Sequence, residues 1–387
     1  MEEKMVADTE VYRELQKHLD KMPVGYPATK SGVEINLLKA IFTPQEAIIA
    51  TNLDYKHKTV DQIFETVQDD VESREELIGV LDAIVAKGGI SRRRHDDQLQ
   101  YAVIPFVLWG VYEQQLKRLD PAFLNDVGEY LMGELGYELA TNKLPKMRVI
   151  PVEESVRVEH RVATYDELRH VIERAGDHIA VQDCICKKVN DLQGKNCQTT
   201  DRREVCMSLG YLADLYVEEG WGRKINQEEA LEIARKSEQE GLVIMPGNEQ
   251  EPAFMCACCS DCCGMMMMMQ AFPNPADVVA SNYYVQVNTE LCTGVGTCVD
   301  RCPMDAMFMD NGYASVKLNR CIGCGLCVPT CPEDAITMVK KEKEYVPPLT
   351  EEQLFDEILA NKSSLSGRIR IHSMKTLLRI ASRYSKI

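Results

Sequence analysis

The sequence has no stretch long and apolar enough to cross a bilayer. Its longest apolar run, residues 101–111, is shorter than the roughly 20 residues of a spanning helix and contains Pro105. It does not open on a basic n-region followed by an apolar h-region either. Met1-Glu2-Glu3-Lys4 leads straight into polar residues, so no secretory leader is expected. Phosphate-binding signatures are missing: no G-x-G-x-x-G opens a βαβ unit and no P-loop occurs, which leaves no evident place for NAD, flavin or ATP. Positive charge is in deficit, 44 Lys and Arg against 60 Asp and Glu, and a net charge of −16 argues against a general nucleic-acid binder. Histidine is sparse and scattered; only His95, beside Arg92, Arg93 and Arg94, stands in an obvious polar loop. At 387 residues the chain has room for two to four domains, each with its own core.

What the chain has in quantity is cysteine, sixteen in all, and in a cytosolic protein such spacings favour metal over disulfides. Residues 321–332, CIGCGLCVPTCP, fit the cluster pattern C-x2-C-x2-C-x3-C-P without a defect. Residues 292–303, CTGVGTCVDRCP, repeat it with Val295 where the second cysteine belongs. Over about residues 284–340 the sequence resembles the bacterial two-cluster ferredoxins. In that pattern each block's fourth cysteine ligates the other cluster, which implies an intact 4Fe-4S site from Cys302, Cys321, Cys324 and Cys327. Cys292, Cys298 and Cys331 are left for the second site, because Val295 has no lone pair for iron; its branched side chain is expected against the cluster. A 3Fe-4S cluster is the first expectation there. A 4Fe-4S cluster with a water, carboxylate or partner-supplied fourth ligand stays open, as does a lost cluster. Gly294, Gly296, Gly323 and Gly325 suit loops whose amides turn toward sulfur, or simply turns that need freedom in φ.

The other nine cysteines lie between residues 184 and 263. A short strand at 179–181 delivers the chain to Cys184 and Cys186, and Cys197 and Cys206 complete a C-x-C-x10-C-x8-C set sufficient for one 4Fe-4S cluster. Zinc is the rival, since four thiolates suit either metal. Cys256, Cys258, Cys259, Cys262 and Cys263 follow within eight positions. Neighbouring side chains diverge in helices and strands, so a loop wrapping a cluster is expected. One or two further iron–sulfur clusters fit these nine thiols; two cubanes with a spare cysteine and one larger cluster both stay open. Met265, Met266, Met267, Met268 and Met269 come next. Thioethers can bind copper, but five in a row cannot face one ion, and a helix packed on the cluster's apolar side is expected.

Around these sites the pattern is mostly helical. A helix is expected near residues 9–19, then turns at 23–27. Thr43, Pro44 and Glu46 start a helix over about 44–53, Thr59 caps another to about 67, and a third covers 73–87 with Leu77, Val80, Leu81 and Ile84 on one face. Gly88 and Gly89 end it, and two strand-like runs, 90–94 and 99–104, follow across His95-Asp96-Asp97-Gln98. Three helices and a hairpin look like a winged helix. Near or on the candidate recognition helix stand Glu72, Glu75, Glu76 and Asp82 against Arg74 and Lys87, so protein docking or a structural role outweighs DNA binding. Residues 105–145 look helical, with Trp109, Tyr112 and Leu116 in the core, and 145–151 look like a linker. Thr164 and Glu167 form a capping box for a helix to about Ala175, and Asn226 caps a core helix over 227–239 that Gly241 ends. Beyond Pro347 and Pro348 an acidic helix starts at Thr350. Residues 362–387 then hold only basic charge, with Ile371, Met374, Leu378 and Ala381 at helical spacing. A basic amphipathic helix over 371–384 would dock on acidic protein surface or, alternatively, on a membrane.

The layout is thus α+β and multidomain: an N-terminal extension (1–40), a winged-helix-like and helical domain (41–150), a mostly helical cysteine-rich iron–sulfur domain (151–283), a ferredoxin-like domain (284–345) and C-terminal helices with a basic tail (346–387). Over about residues 23–340, with CICKK, Cys197, Cys206 and CACCSDCCG in the middle, this order resembles a family of anaerobic bacterial iron–sulfur proteins. Cysteine-ligated clusters supply one-electron chemistry. The expected function is a multi-cluster electron carrier, or the electron-transferring subunit of an anaerobic oxidoreductase complex. It would work with a redox partner in the cytoplasm or on the cytoplasmic membrane face. A redox-responsive winged-helix regulator, and an enzyme using a middle-domain cluster as reaction centre, are the alternatives.

Overall fold

A computed structural model of the protein describes residues 2–141, 145–155 and 166–363. The fold mixes helix and sheet, and the chain divides into two compact units, Met1–Leu144 with Phe355–Ile387, and Pro145–Leu354. These units are coarser than the five segments read from the sequence. The residues expected to form the basic tail helix, 371–384, lie outside the described residues, as does Thr164.

The first unit begins with α1 (Glu2–Leu19) and α2 (Val33–Ile41). Residues 12–38 contribute to this unit's core: Tyr12 Oη donates to the Phe42 carbonyl, Gln16 to that of Tyr26, and Tyr26 Oη to that of Glu34. Next come α3 (Pro44–Ala50), β1 (Lys58–Thr59), α4 (Val60–Val67) and α5 (Arg74–Ala86). Thr43 with Glu46 and Thr59 with Gln62 each form a complete capping box, satisfying N–H groups that a helix start leaves unpaired. On α5 the buried face is Leu77, Leu81, Ile84 and Val85, while Val80 is half-buried. β2 (Ile90–His95) and β3 (Gln98–Val103) pair through His95 and Gln98. Asp96 and Asp97 both have positive φ there, the backbone that matches the twist of a two-residue hairpin. β1 pairs with the other edge of β3.

Residues 105–120 are not the α-helix expected. Leu108 and Trp109 are left-handed (φ 68° and 61°), and the Glu113 carboxylate accepts from the N–H groups of Leu108 and Gly110. A Cβ on Gly110 would overlap the Pro105 carbonyl oxygen, so only glycine closes this loop. Trp109, Tyr112 and Leu116 are buried as expected. α6 (Pro121–Met132) and α7 (Glu134–Thr141) complete this part of the unit.

The second unit is built on a five-stranded antiparallel sheet. α8 (Leu168–Ala175) leads to β4 (Ile179–Asp183), α9 (Ile185–Leu192), β5 (Glu204–Leu209), α10 (Tyr211–Glu218) and β6 (Arg223–Lys224). α11 (Gln227–Glu240), β7 (Val243–Pro246), β8 (Phe254–Cys258) and α12 (Gly264–Ala271) follow, and the strand order is β6-β4-β5-β8-β7. Asn226 caps α11 onto the Glu229 N–H, and Gly241, left-handed at φ 94°, ends it. Residues 145–151 are not an exposed linker. The N–H groups of Arg148 and Ile150 donate to Pro246 and Ile244, that of Val149 donates to Ala280, and the segment is largely buried because its backbone finds these partners.

Beyond α12, β9 (Tyr283–Val287), α13 (Thr297–Asp300), β10 (Met307–Asp310), β11 (Tyr313–Val316) and β12 (Ile336–Lys340) form two small sheets, β9 with β12 and β10 with β11. The Val152 N–H donates to the Cys324 carbonyl at 3.0 Å, and the Arg301 guanidinium donates to the carbonyls of Glu238 and Gln239 at the end of α11. The cysteine-rich and ferredoxin-like parts are therefore one packed body. The division between the units falls within α14 (Glu351–Ser363). Among the described residues no helix is long and apolar enough to cross a membrane.

Candidate metal centres

All sixteen cysteines lie among the described residues, and none forms a disulfide. They gather in four groups.

Cys302, Cys321, Cys324 and Cys327 line one apolar cavity with Val285, Met304, Met307 and Leu326, enclosing about 330 Å³ including its mouth. Gly323 and Gly325 are left-handed, and the N–H groups of Gly323 and Val285 approach the Cys321 sulfur while that of Leu326 approaches Cys324. Ala306 N–H donates to Cys302 Sγ at 3.3 Å. Burial among these apolar walls, with the charges of Cys302 and Cys321 adding to it, pushes the Cys324 thiol up to about 12. Four convergent sulfurs, an apolar lining and amides aimed at sulfur suit a thiolate-bound 4Fe-4S cluster.

Cys292, Cys298 and Cys331 form the second group, with Cys298 close enough to feel the charges of the other two. Ala335 N–H donates to Cys331 Sγ at 3.3 Å, repeating at the same four-residue offset the bond that Ala306 makes to Cys302. Ala314 N–H supplies the same to Cys292. Val295 departs from expectation. It is 61% exposed, whereas its counterpart Cys324 is 9% exposed. The three-cysteine corner is open to solvent where the intact site is closed.

In the middle region the structure does not bring Cys184, Cys186, Cys197 and Cys206 to one point. Cys184 is the N-cap of α9, Cys186 is in its first turn, and Cys206 lies on β5. The ladder pairing Met207 with Met255 carries Cys206 to the side of Cys256, and Cys258 follows two residues on, on the same face of β8. Cys263 is the N-cap of α12. Contacts run from Cys184 to Cys186 and Cys206, from Cys186 to Cys263, from Cys206 to Cys256, and from Cys258 to Cys256 and Cys263. Six thiols thus face one pocket from two helix N-termini and two strands. Hydrogen bonds from Cys186 and Cys206, with Lys187 nearby, hold Cys184 well below the usual thiol range. The methionine run forms α12, with Met266 and Met269 buried and Met267 exposed.

Cys197 belongs instead to the fourth group, with Cys259, Cys262 and Asp261, whose ligand atoms all lie within 4.8 Å of one another. Cys197 is carried there by the loop after α9, and its sulfur is 3.7 Å from Cys259 Sγ and 3.8 Å from Asp261 Oδ1. Lys187, 1% exposed, donates from Nζ to Cys259 Sγ at 2.9 Å. Burial works against its charge, but Cys184, Cys259 and Cys197 raise its pKa above that of an ordinary lysine. Lys187 and Asp261 were not singled out from the sequence. Their signal was present, a lysine directly after C-x-C and an acid inside a cysteine cluster, but only the fold shows that both turn inward.

Residues 284–344 match the 4Fe-4S dicluster domain family. No curated protein matches the chain. No solved structure matches it. The chain therefore carries a ferredoxin-type iron–sulfur module beside a second concentration of thiols, and its chemistry is that of iron–sulfur electron transfer.

Proposed function

We propose that the protein is a multi-cluster electron carrier, or the electron-transferring subunit of an oxidoreductase complex, working with a redox protein in the cytoplasm. Cys302, Cys321, Cys324 and Cys327 hold a 4Fe-4S cluster. Cys292, Cys298 and Cys331 hold a 3Fe-4S cluster, or a 4Fe-4S cluster whose fourth ligand comes from outside the loop that Val295 occupies. Cys184, Cys186, Cys206, Cys256, Cys258 and Cys263 hold a further polynuclear iron–sulfur cluster.

The observation that carries this reading is the direct packing of the middle region on the intact ferredoxin site, where Val152 N–H meets the Cys324 carbonyl and Ser155 leaves no room for a Cβ on Gly325. One-electron exchange between centres needs them held in one rigid body; the clusters would supply the redox chemistry when bound, and the protein supplies amides, apolar cover and charge.

We read the order α3, β1, α4, α5, β2, β3 as a winged helix that docks protein rather than DNA. The acidic face of α5 would repel phosphate, and Arg92 in the hairpin is paired with Asp82 at 2.8 Å. The experiment is stopped-flow mixing of the anaerobically purified chain with a reduced low-potential carrier. Millisecond bleaching of the clusters without substrate turnover supports electron transfer; a small-molecule reaction in the absence of any protein partner would replace it with an enzyme.

A further inference from the structure

We propose that Cys197, Cys259, Cys262 and Asp261 hold a single divalent metal ion of the zinc class, separate from the six-thiol pocket. Spacing is the first ground. With metal–sulfur bonds of ~2.3 Å, two thiolates on one tetrahedral ion stand about 3.8 Å apart, and a thiolate and a carboxylate oxygen about 3.6 Å. The distances here are 3.7 Å for Cys197 Sγ to Cys259 Sγ and 3.8 Å for Cys197 Sγ to Asp261 Oδ1. Among the described residues, this is the group whose ligand atoms converge within 4.8 Å; neither ferredoxin set does so.

The surrounding shell is the second ground. Asp261 Oδ2 accepts the Gln198 N–H at 2.6 Å and Oδ1 accepts Thr199 Oγ1 at 3.1 Å, which holds the carboxylate beside Cys197. Such partners orient metal ligands. Charge is the third. Three thiolates and a carboxylate carry −4, a divalent ion leaves −2, and the buried Lys187 ammonium on Cys259 Sγ brings the site to −1. A buried ammonium is costly unless anionic groups face it, and Lys187 faces both Cys259 of this site and Cys184 of the six-thiol pocket. The ion would pin the α9–β5 loop to the turn after β8, and so set the wall between itself and the six-thiol pocket.

The test is metal analysis of the full chain purified anaerobically, counting zinc, iron and acid-labile sulfide. The expected result is about one zinc per chain in addition to the iron. Cys262→Ser then loses that zinc and keeps its iron and sulfide. Asp261→Cys, which adds a thiolate instead of removing one, retains the ion, and in the cobalt-substituted protein moves the ligand-field bands to longer wavelength as the donor set changes from three sulfurs to four. Absence of zinc from the wild-type chain, loss of iron or sulfide in Cys262→Ser, or unmoved cobalt bands in Asp261→Cys overturns the proposal.

Discussion

Lys187→Met removes the buried ammonium while keeping most of its aliphatic stem. At 2.9 Å from Cys259 Sγ, the gross attraction at an effective dielectric of about 20 is about 6 kcal/mol. Burying the ammonium cancels part of this; with the proposed ion bound to Cys259, breaking the buried pair by deleting one partner costs about 3–5 kcal/mol, because the metal-bound thiolate charge stays behind. With a urea slope of about 2–3 kcal/mol per molar, the unfolding midpoint should fall by at least about 1 M. The assay is urea unfolding of the full chain under argon, followed by cluster absorbance, which reports on the unit that holds every cysteine. Lys187→Met combined with Cys259→Ser should cost clearly less than the sum of the two single changes, since they share one interaction. A midpoint within about 0.2 M of wild type for Lys187→Met would refute the role given to this ammonium.

Val295→Cys completes the defective block on an exposed loop and should add about one iron per chain without changing sulfide, measured by chemical analysis; an unchanged count would show that the corner holds no cluster short of one iron. Glu238 is buried, and burial pushes its carboxyl up to about 7. The folded chain therefore keeps a proton there that the unfolded chain loses near 4.5, so stability declines as pH rises from about 4.5 to about 7 and levels off above. Glu238→Gln should remove up to about 3 kcal/mol of that decline, read from urea midpoints across the range. Filter binding at physiological salt should show no preferred DNA site. A tight, steeply salt-dependent complex would restore the regulator reading.

Much of the local structure was legible because its causes are local. The capping boxes at Thr43 and Thr59, the Asn226 cap, the Gly241 stop and the Asp96-Asp97 turn each lie in a few consecutive residues. The intact ferredoxin set was legible because its spacing is itself the signature. Cys197 was not, since its separation from Cys186 and Cys206 arises from where α9 ends and how β5 pairs with β8, a long-range register that spacing does not encode. The same holds for 145–151, whose buried state depends on β7 and residues near 280. The left-handed pair Leu108 and Trp109 breaks a helical pattern through one carboxylate, Glu113, and one close approach at Gly110.

The most direct test of multi-centre electron transfer is low-temperature EPR of the anaerobically purified full chain, with iron and sulfide counted on the same sample. The reduced protein should show a 4Fe-4S signal together with a second species that Cys186→Ser removes while leaving the first. A lone 4Fe-4S signal, unchanged by Cys186→Ser, would contradict the assignment of a cluster to the middle region.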